Sequence, residues 1–351
     1  MKKIIKLFFG IIALVVILFL IFLGYSMLTN YDPQDREEIF KSENPNQFKQ
    51  GDTLRFLIWN IGYAGLGGDM DFFYDGGKNM QTSKERTLEN FVKIKSLLAE
   101  SDSIDFIMLQ EVDVEAKRSY YINERDSLSS FLIGWKPYFA MNYNVKFVPS
   151  PISSPMGKVI SGILSLTKHE PLLCERYKFP GEGPFPTNLF MLDRCFIVKR
   201  FPVSENKQLL VINTHNAAFE DSVVKTKHME FLKGFLSDEY SKGNYIIMGG
   251  DWNQSPFGAD KNSFSKSLPE KHFKLISIAK DFLPKEWKWI YDPTVPTNRY
   301  LNFPYDPETT PKIIIDYYLI SPNVDAVYVH TKNLDFQNSD HQPVFAGFVL
   351  K

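Results

Sequence analysis

Thiols are scarce in this chain: Cys174 and Cys195 are its two cysteines in 351 residues. Two are too few for a cysteine-ligated zinc cluster, and they leave either one disulfide or two buried free thiols. A basic surplus is also missing. Forty lysines and arginines face 41 acidic residues, and without Lys2, Lys3 and Lys6 the balance is 37 against 41, about −4. Proteins that bind long nucleic acid usually carry a positive excess, because phosphate neutralisation supplies most of their affinity. The charge therefore favours small or lipid phosphoesters over a polynucleotide. No G-K-[ST] follows the glycine-rich stretch Gly62–Gly77, which rules out a P-loop. No H-x-x-x-H pair argues for zinc, and no internal repeat suggests a solenoid.

What is plentiful is apolar. A hydrophobic fraction of 44%, with 15% aromatic, is ample for a packed core. Leu7–Leu28 is almost wholly apolar, and as a helix it would span about 33 Å, the thickness of a bilayer's hydrocarbon core. The three lysines before it place the N-terminus in the cytoplasm. The expected organisation is a basic cytoplasmic segment 1–6, a transmembrane signal-anchor 7–28, a polar tether 29–51 and one exported domain 52–351. A cleaved signal peptide, with Gly24 and Ser26 at the cleavage site, is the alternative, and it too exports the domain.

From Thr53 onward, strand-like and helix-like patterns alternate. Strands are expected at Leu54–Trp59, Phe106–Leu109, Gly162–Leu166, Cys195–Lys199, Leu209–Asn213, Tyr245–Met248, Ile313–Ile320, Ala326–His330 and Val344–Val349. Helical spacing marks Lys84–Glu100, capped at Thr82 or Ser83 with Leu88, Phe91, Val92, Leu97 and Leu98 on one face, and Asp221–Leu236. Many strands with few helices predict two packed sheets with helices outside. Four long aromatic-rich segments, Gly62–Met80, Val148–Val159, Phe179–Asn188 and Asp292–Thr310, read as ordered loops that shape a cleft.

The strands end repeatedly in polar residues. Leu54–Trp59 ends at Asn60, Phe106–Leu109 at Gln110-Glu111, and Leu209–Ile212 runs into Asn213-Thr214-His215-Asn216. Tyr245–Met248 leads to Gly249-Gly250-Asp251-Trp252-Asn253, Ile313–Ile315 meets Asp316, and Ser339-Asp340-His341 precedes the last strand. One such residue is usually a turn former. Six strand ends on one edge of a sheet converge on a pocket. Carboxylates gathered there would repel one another unless a cation joined them, and oxygen donors without thiols suit Mg²⁺, or Mn²⁺.

These segments, taken in order, resemble the signature of the endonuclease/exonuclease/phosphatase superfamily: Asn60, Gln110-Glu111, His215, Gly250-Asp251-Trp252-Asn253, Ile315-Asp316-Tyr317 and Ser339-Asp340-His341-Gln342-Pro343-Val344. That group includes deoxyribonuclease I, exonuclease III, inositol polyphosphate phosphatases and the neutral sphingomyelinases. The resemblance covers Asp52–Lys351 and implies a four-layer α/β sandwich that hydrolyses phosphoesters by in-line attack of water. By similarity, Glu111 is the main metal ligand, with Asn60 and Asp340 close by. Asp251 orients or deprotonates the water, Asn253 and His215 bind the scissile phosphate, and His341, oriented by Asp316, stabilises the pentacovalent phosphorus. Arg299, in Thr297-Asn298-Arg299, is a candidate for a substrate phosphate or for a plain ion pair, Arg194 shares that ambiguity, and Tyr63 is a candidate for the pocket lining. Asp69, Asp71 and Asp75 fit no EF-hand and read as a solvated loop; His169, His228, His272 and His330 receive no role. The substrate is a nucleic acid, a phospholipid or a phosphorylated small molecule, with sphingomyelinase-like and nuclease activities as the alternatives. A non-catalytic binding module on the same fold is the competing class.

Overall fold

The computed structural model describes residues 1–101, 103–204, 206–218, 222–260, 263–264 and 276–351. In chain order the elements are α1 (Lys2–Leu28), β1 (Arg36–Lys41), β2 (Thr53–Asn60), α2 (Lys84–Ala99), β3 (Phe106–Asp113), α3 (Glu124–Phe131) and β4 (Lys136–Val148). They continue with β5 (Gly157–Thr167), β6 (Leu173–Lys178), β7 (Cys195–Pro202), β8 (Gln208–His215), α4 (Ser222–Ser241) and β9 (Tyr245–Asp251). The last are β10 (Lys288–Ile290), β11 (Asn298–Arg299), β12 (Lys312–Ile313), β13 (Asp316–Ile320), β14 (Val324–Thr331) and β15 (Val344–Leu350).

One sheet runs β1-β6-β7-β8-β9-β13-β10 and the other β14-β15-β2-β3-β5-β4; β11 and β12 form a separate ribbon. Both large sheets are mixed, with β8–β9 and β2–β3 as their parallel pairs. Strand alternation explains the layers. Phe56 and Ile58 of β2, Met108 of β3, Val211 of β8, Ile247 of β9 and Phe348 of β15 meet between the sheets. The opposite face of β2 and β3, with Leu57, Ile107 and Leu109, packs on Phe91, Ile94 and Leu98 of α2 and Leu128 of α3. The outer face of the other sheet packs on Leu232 and Leu236 of α4. Helix, sheet, sheet, helix: the expected four-layer sandwich is the observed one.

The α2 cap is Ser83, whose Oγ accepts the Arg86 N–H at 3.1 Å. Leu88 and Val92, expected on the buried face of α2, are exposed, and Ile94, Asn90 and Thr87 take the inner positions. The helix expected from Asp221 begins among the described residues at Ser222; Asp221 itself and His272 lie outside them.

Three differences from the expected elements stand out. The segment read as a tether contributes β1, which pairs antiparallel with β6. Its sequence, Arg-Glu-Glu-Ile-Phe-Lys, is that of a charged edge strand and hides the alternation. The strand expected over Ile313–Ile320 is broken, because the Thr297 hydroxyl accepts the N–H groups of both Ile315 and Asp316 at 3.0 Å. β4, β6, β10 and α3 were not anticipated; β4 is polar on one side and irregular in register, which masks its period. Cys174 and Cys195 are both buried free thiols, opposite Lys199 and Lys178 in the β6–β7 ladder. Four residues of strand, about 13 Å, separate them, far beyond disulfide reach.

Candidate active site

β2, β3, β8 and β9 end, and the antiparallel β13 begins, at the same edge of the sandwich. The Asn60 side chain ties two of them together, with Nδ2 3.1 Å from Glu111 Oε1 and 3.0 Å from Asp251 Oδ2, while its Oδ1 accepts the Gly62 N–H at 3.0 Å. Glu111 sits at a bulge in the β3–β5 pairing with φ 54°. That left-handed turn, rare for a non-glycine, re-aims its carboxylate into the cleft. Gly250, φ 144°, lies so close to β8 that a Cβ there would meet Thr214 O at 2.1 Å, so only glycine brings Asp251 beside His215.

Around Asp251 the groups interlock. Its Oδ1 accepts the Asn253 N–H at 2.9 Å, and Asn253 Nδ2 donates to Asn216 O at 2.9 Å, leaving one Asn253 amide hydrogen for a ligand. His215 Nε2 stands 3.6 Å from Asp251 Oδ2 and 3.9 Å from Glu111 Oε1, too far for hydrogen bonds, and its buried Nδ1 has no hydrogen-bond partner. Across the cleft, Asp316 Oδ2 is 2.8 Å from His341 Nδ1, and His341 Nε2 points toward Asp251 (3.7 Å) and Asp340 (3.8 Å). Asp251 and Asp316 face each other directly across the β9–β13 pairing, where like charges repel unless something intervenes. His341 intervenes.

Burial raises the Asp251 carboxyl to about 6, and Asp316 beside it pushes the same way against His341 and the Asn60 and Asn253 hydrogen bonds. Burial and the Glu111 charge raise Asp340 to about 7. Burial disfavours a charged His341, but Asp316, Asp340 and Asp251 outweigh it and hold the ring's pKa well above the usual histidine value. His215 goes the other way, lowered by burial and then by Arg194, His341 and Arg118.

A divalent cation fits this arrangement: acids crowd into a buried site, hard oxygen donors prevail and no thiol is near. Asp251, Asp316 and His341 present ligand atoms within 4.8 Å of one another. His341 Nδ1 is taken by Asp316, however, and Nε2 lies 3.0 Å from Asn298 Nδ2, so that trio is better suited to orienting the ring than to ligating.

The cleft holds about 600 Å³ and is lined by Glu111, His215, Asp251, Asn253, Asp340 and His341 on its floor. All four aromatic loops contribute to its walls. Tyr63 lines it as expected, its ring under the Arg118 guanidinium at 3.8 Å and its hydroxyl without a partner. Arg299 also lines the cleft, while its Nη atoms reach the carbonyls of Leu66, Gly67, Met70, Tyr300 and Phe303. Its neighbour Asn298, which the sequence did not single out, touches His341 Nε2 and donates to Asp340 O at 3.2 Å. Arg194 lines the cleft, as does Asp75, expected to be solvated and instead raised to about 7 by burial and then by Asp340 and Glu111.

Two packed sheets whose strand tips gather acids, amides and histidines define an α/β sandwich with a polar catalytic edge. The chain belongs to the endonuclease/exonuclease/phosphatase family, whose model matches residues 57–341, and members of this family hydrolyse phosphoesters. Solved structures share the fold: an endonuclease/exonuclease/phosphatase from Beutenbergia cavernae is 17% identical with TM-score 0.55, covering 85% of this chain and 72% of that one. A Bacteroides vulgatus protein of the same description is 13% identical with TM-score 0.53, over 86% and 100% of the two chains. Danio rerio TDP2, solved with a single-strand DNA product, is 14% identical with TM-score 0.50, over 84% and 98%. No curated protein matches the chain.

Proposed function

We propose that the protein is a membrane-tethered, exported phosphoesterase that uses a divalent metal, Mg²⁺ or Mn²⁺, to hydrolyse a phosphoester by in-line attack of water. The single observation behind this is the convergence of Asn60, Glu111, His215, Asp251, Asn253, Asp340 and His341 on one cleft edge, with Asp316 behind His341. α1 is long and apolar enough to cross a membrane by length and composition, and Lys2, Lys3 and Lys6 put its start on the cytoplasmic side.

Glu111, with Asn60 and Asp340, would hold the metal, which when bound supplies charge neutralisation and polarises a phosphoryl oxygen. Asp251 Oδ2, held by Asn60, receives the proton of the attacking water. The unpartnered His215 ring and the spare Asn253 hydrogen hold the scissile phosphate oxygens. His341, steadied by Asp316 and Asn298, faces the developing charge on phosphorus. The water oxygen–phosphorus bond forms, the phosphorus–ester oxygen bond breaks, and the leaving oxygen ends with the proton. Hydrolysis of bis-p-nitrophenyl phosphate in Mg²⁺ or Mn²⁺, abolished by EDTA, is the expected result; turnover indifferent to EDTA refutes the metal role, and none under any condition leaves the non-catalytic module.

A further inference from the structure

Beside its polar lining, which takes in Asp75, Arg118, Asn142 and Arg194 as well as the strand tips, the cleft carries a contiguous apolar cluster. Its far wall is built from Leu66, Phe72, Val148, Met156, Phe190 and Leu192. A water takes about 30 Å³ of liquid volume, so a phosphate and its attacking water fill a minor part of 600 Å³. The remainder suits an apolar group of considerable length.

The same wall carries the anchor. The Phe22 ring of α1 stacks on Phe190 with centroids 5.7 Å apart and planes 3° from parallel, and meets Phe147 edge-on at 6.1 Å. Phe190 lines the cleft, and Phe147 directly precedes the lining Val148. From Leu7, where the apolar run begins, the helix has risen about 22 Å at Phe22, so this contact lies in the outer third of the 7–28 span. Beside it the rim is apolar and bare: Ile152 is 95% exposed and Phe185 60%, each two residues from a cleft-lining position, Ser150 and Thr187. Large side chains so exposed around a cleft mouth mark a surface that meets something apolar. The cations do not favour a polynucleotide, because Arg118 is committed to Asp113 at 2.9 Å and Arg299 to loop carbonyls.

We propose that the cleft takes an amphiphilic phosphoester directly from the bilayer that holds α1, seating the phosphate on the strand-tip floor and the apolar arm along the Phe190–Leu192 wall. This rests on the phosphoesterase reading above and names its substrate class. The anchor thereby forms the outer layer of the binding wall as well as tethering the enzyme.

The test uses full-length protein in phosphatidylcholine nanodiscs with Mg²⁺ and p-nitrophenyl alkyl phosphate diesters, which keep one leaving group while the arm lengthens from ethyl to dodecyl. Dodecyl over ethyl kcat/KM should be at least about 100-fold, given the free energy gained per buried methylene. Leu192→Asp should cut that ratio at least tenfold; because both esters are read in the same variant, loss of folded protein cancels. Equal constants for the two arms, an unchanged ratio in Leu192→Asp, or a single-stranded oligonucleotide cleaved faster than the dodecyl ester would overturn the inference while the phosphoesterase reading survived. Failure of every ester, bis-p-nitrophenyl phosphate included, would overturn that reading itself and the inference with it.

Discussion

The molecule buries charge in two places and in opposite ways. On the outer face of the larger sheet, Arg200 of β7 meets Glu239 of α4 through Nη1 and Nη2 at 3.0 and 2.9 Å, with Glu175, Tyr177 and Asn244 closing the network. Positive and negative groups are matched there. At the strand tips, Asp251, Asp316 and Asp340 crowd around His341 with Glu111 across Asn60, and burial lifts the Asp251 and Asp340 carboxyls to about 6 and 7. Balanced buried charge holds an architecture together; unbalanced buried charge waits for a ligand.

Breaking the unbalanced site should have the largest effect. Asp251→Ala and His341→Ala are each expected to lower bis-p-nitrophenyl phosphate turnover about 10³-fold or more, while far-UV circular dichroism and the melting temperature stay at or above the wild-type values. A variant with near-normal turnover removes the assigned role. Chelation with EDTA should reduce wild-type turnover to background. Mg²⁺ at about 100 times its Kd should add about 2.7 kcal/mol of stability, a gain that Asp340→Asn diminishes in thermal melts.

Breaking the balanced site should do the reverse. Glu239→Ala leaves Arg200 buried without its carboxylate, which should cost about 3 kcal/mol in denaturant melts while turnover per folded molecule is unchanged. Burial raises the Glu239 pKa, but the Arg200 pair outweighs it and brings the carboxyl to about 2. Its contribution is therefore complete above the unfolded value of 4.5 and is lost as pH falls toward 2. The smallest effect sharpens the contrast. Lys199 is fully buried, its Nζ has no hydrogen-bond partner, and burial lowers its pKa to about 7 despite Cys174. Between about pH 10.5 and 7 the unfolded chain binds a proton that the folded one refuses, so stability drops as pH is lowered through that window and levels below about 7. Lys199→Met should flatten that slope and stabilise the fold by roughly 1–3 kcal/mol at neutral pH; an unchanged slope assigns it to another group.

Much of the convergent polar edge was legible because its residues sit where an apolar run stops or is about to start: Asn60 after Trp59, Asp251 after Gly250, Asp340 before the last strand. Asn298 was not, since it sits beside Arg299 in one loop and only the β11–β12 ribbon turns it onto His341, although both residues line the cleft. β1 stayed hidden for a related reason: an edge strand buries so little that charge overwrites its alternation.

By itself the sequence determined the apolar helix, the two-sheet core and the identity of the groups at the strand tips, because hydrophobic period and local chain chemistry act over a few residues. Which tips lie within hydrogen-bond reach, which acid faces which across β9 and β13, and that Phe22 seats against the wall of the cleft were decided only by the tertiary structure. Those relations join residues as far apart as Asn60 and Asp251, 191 positions along the chain, and distances of that kind are set by packing.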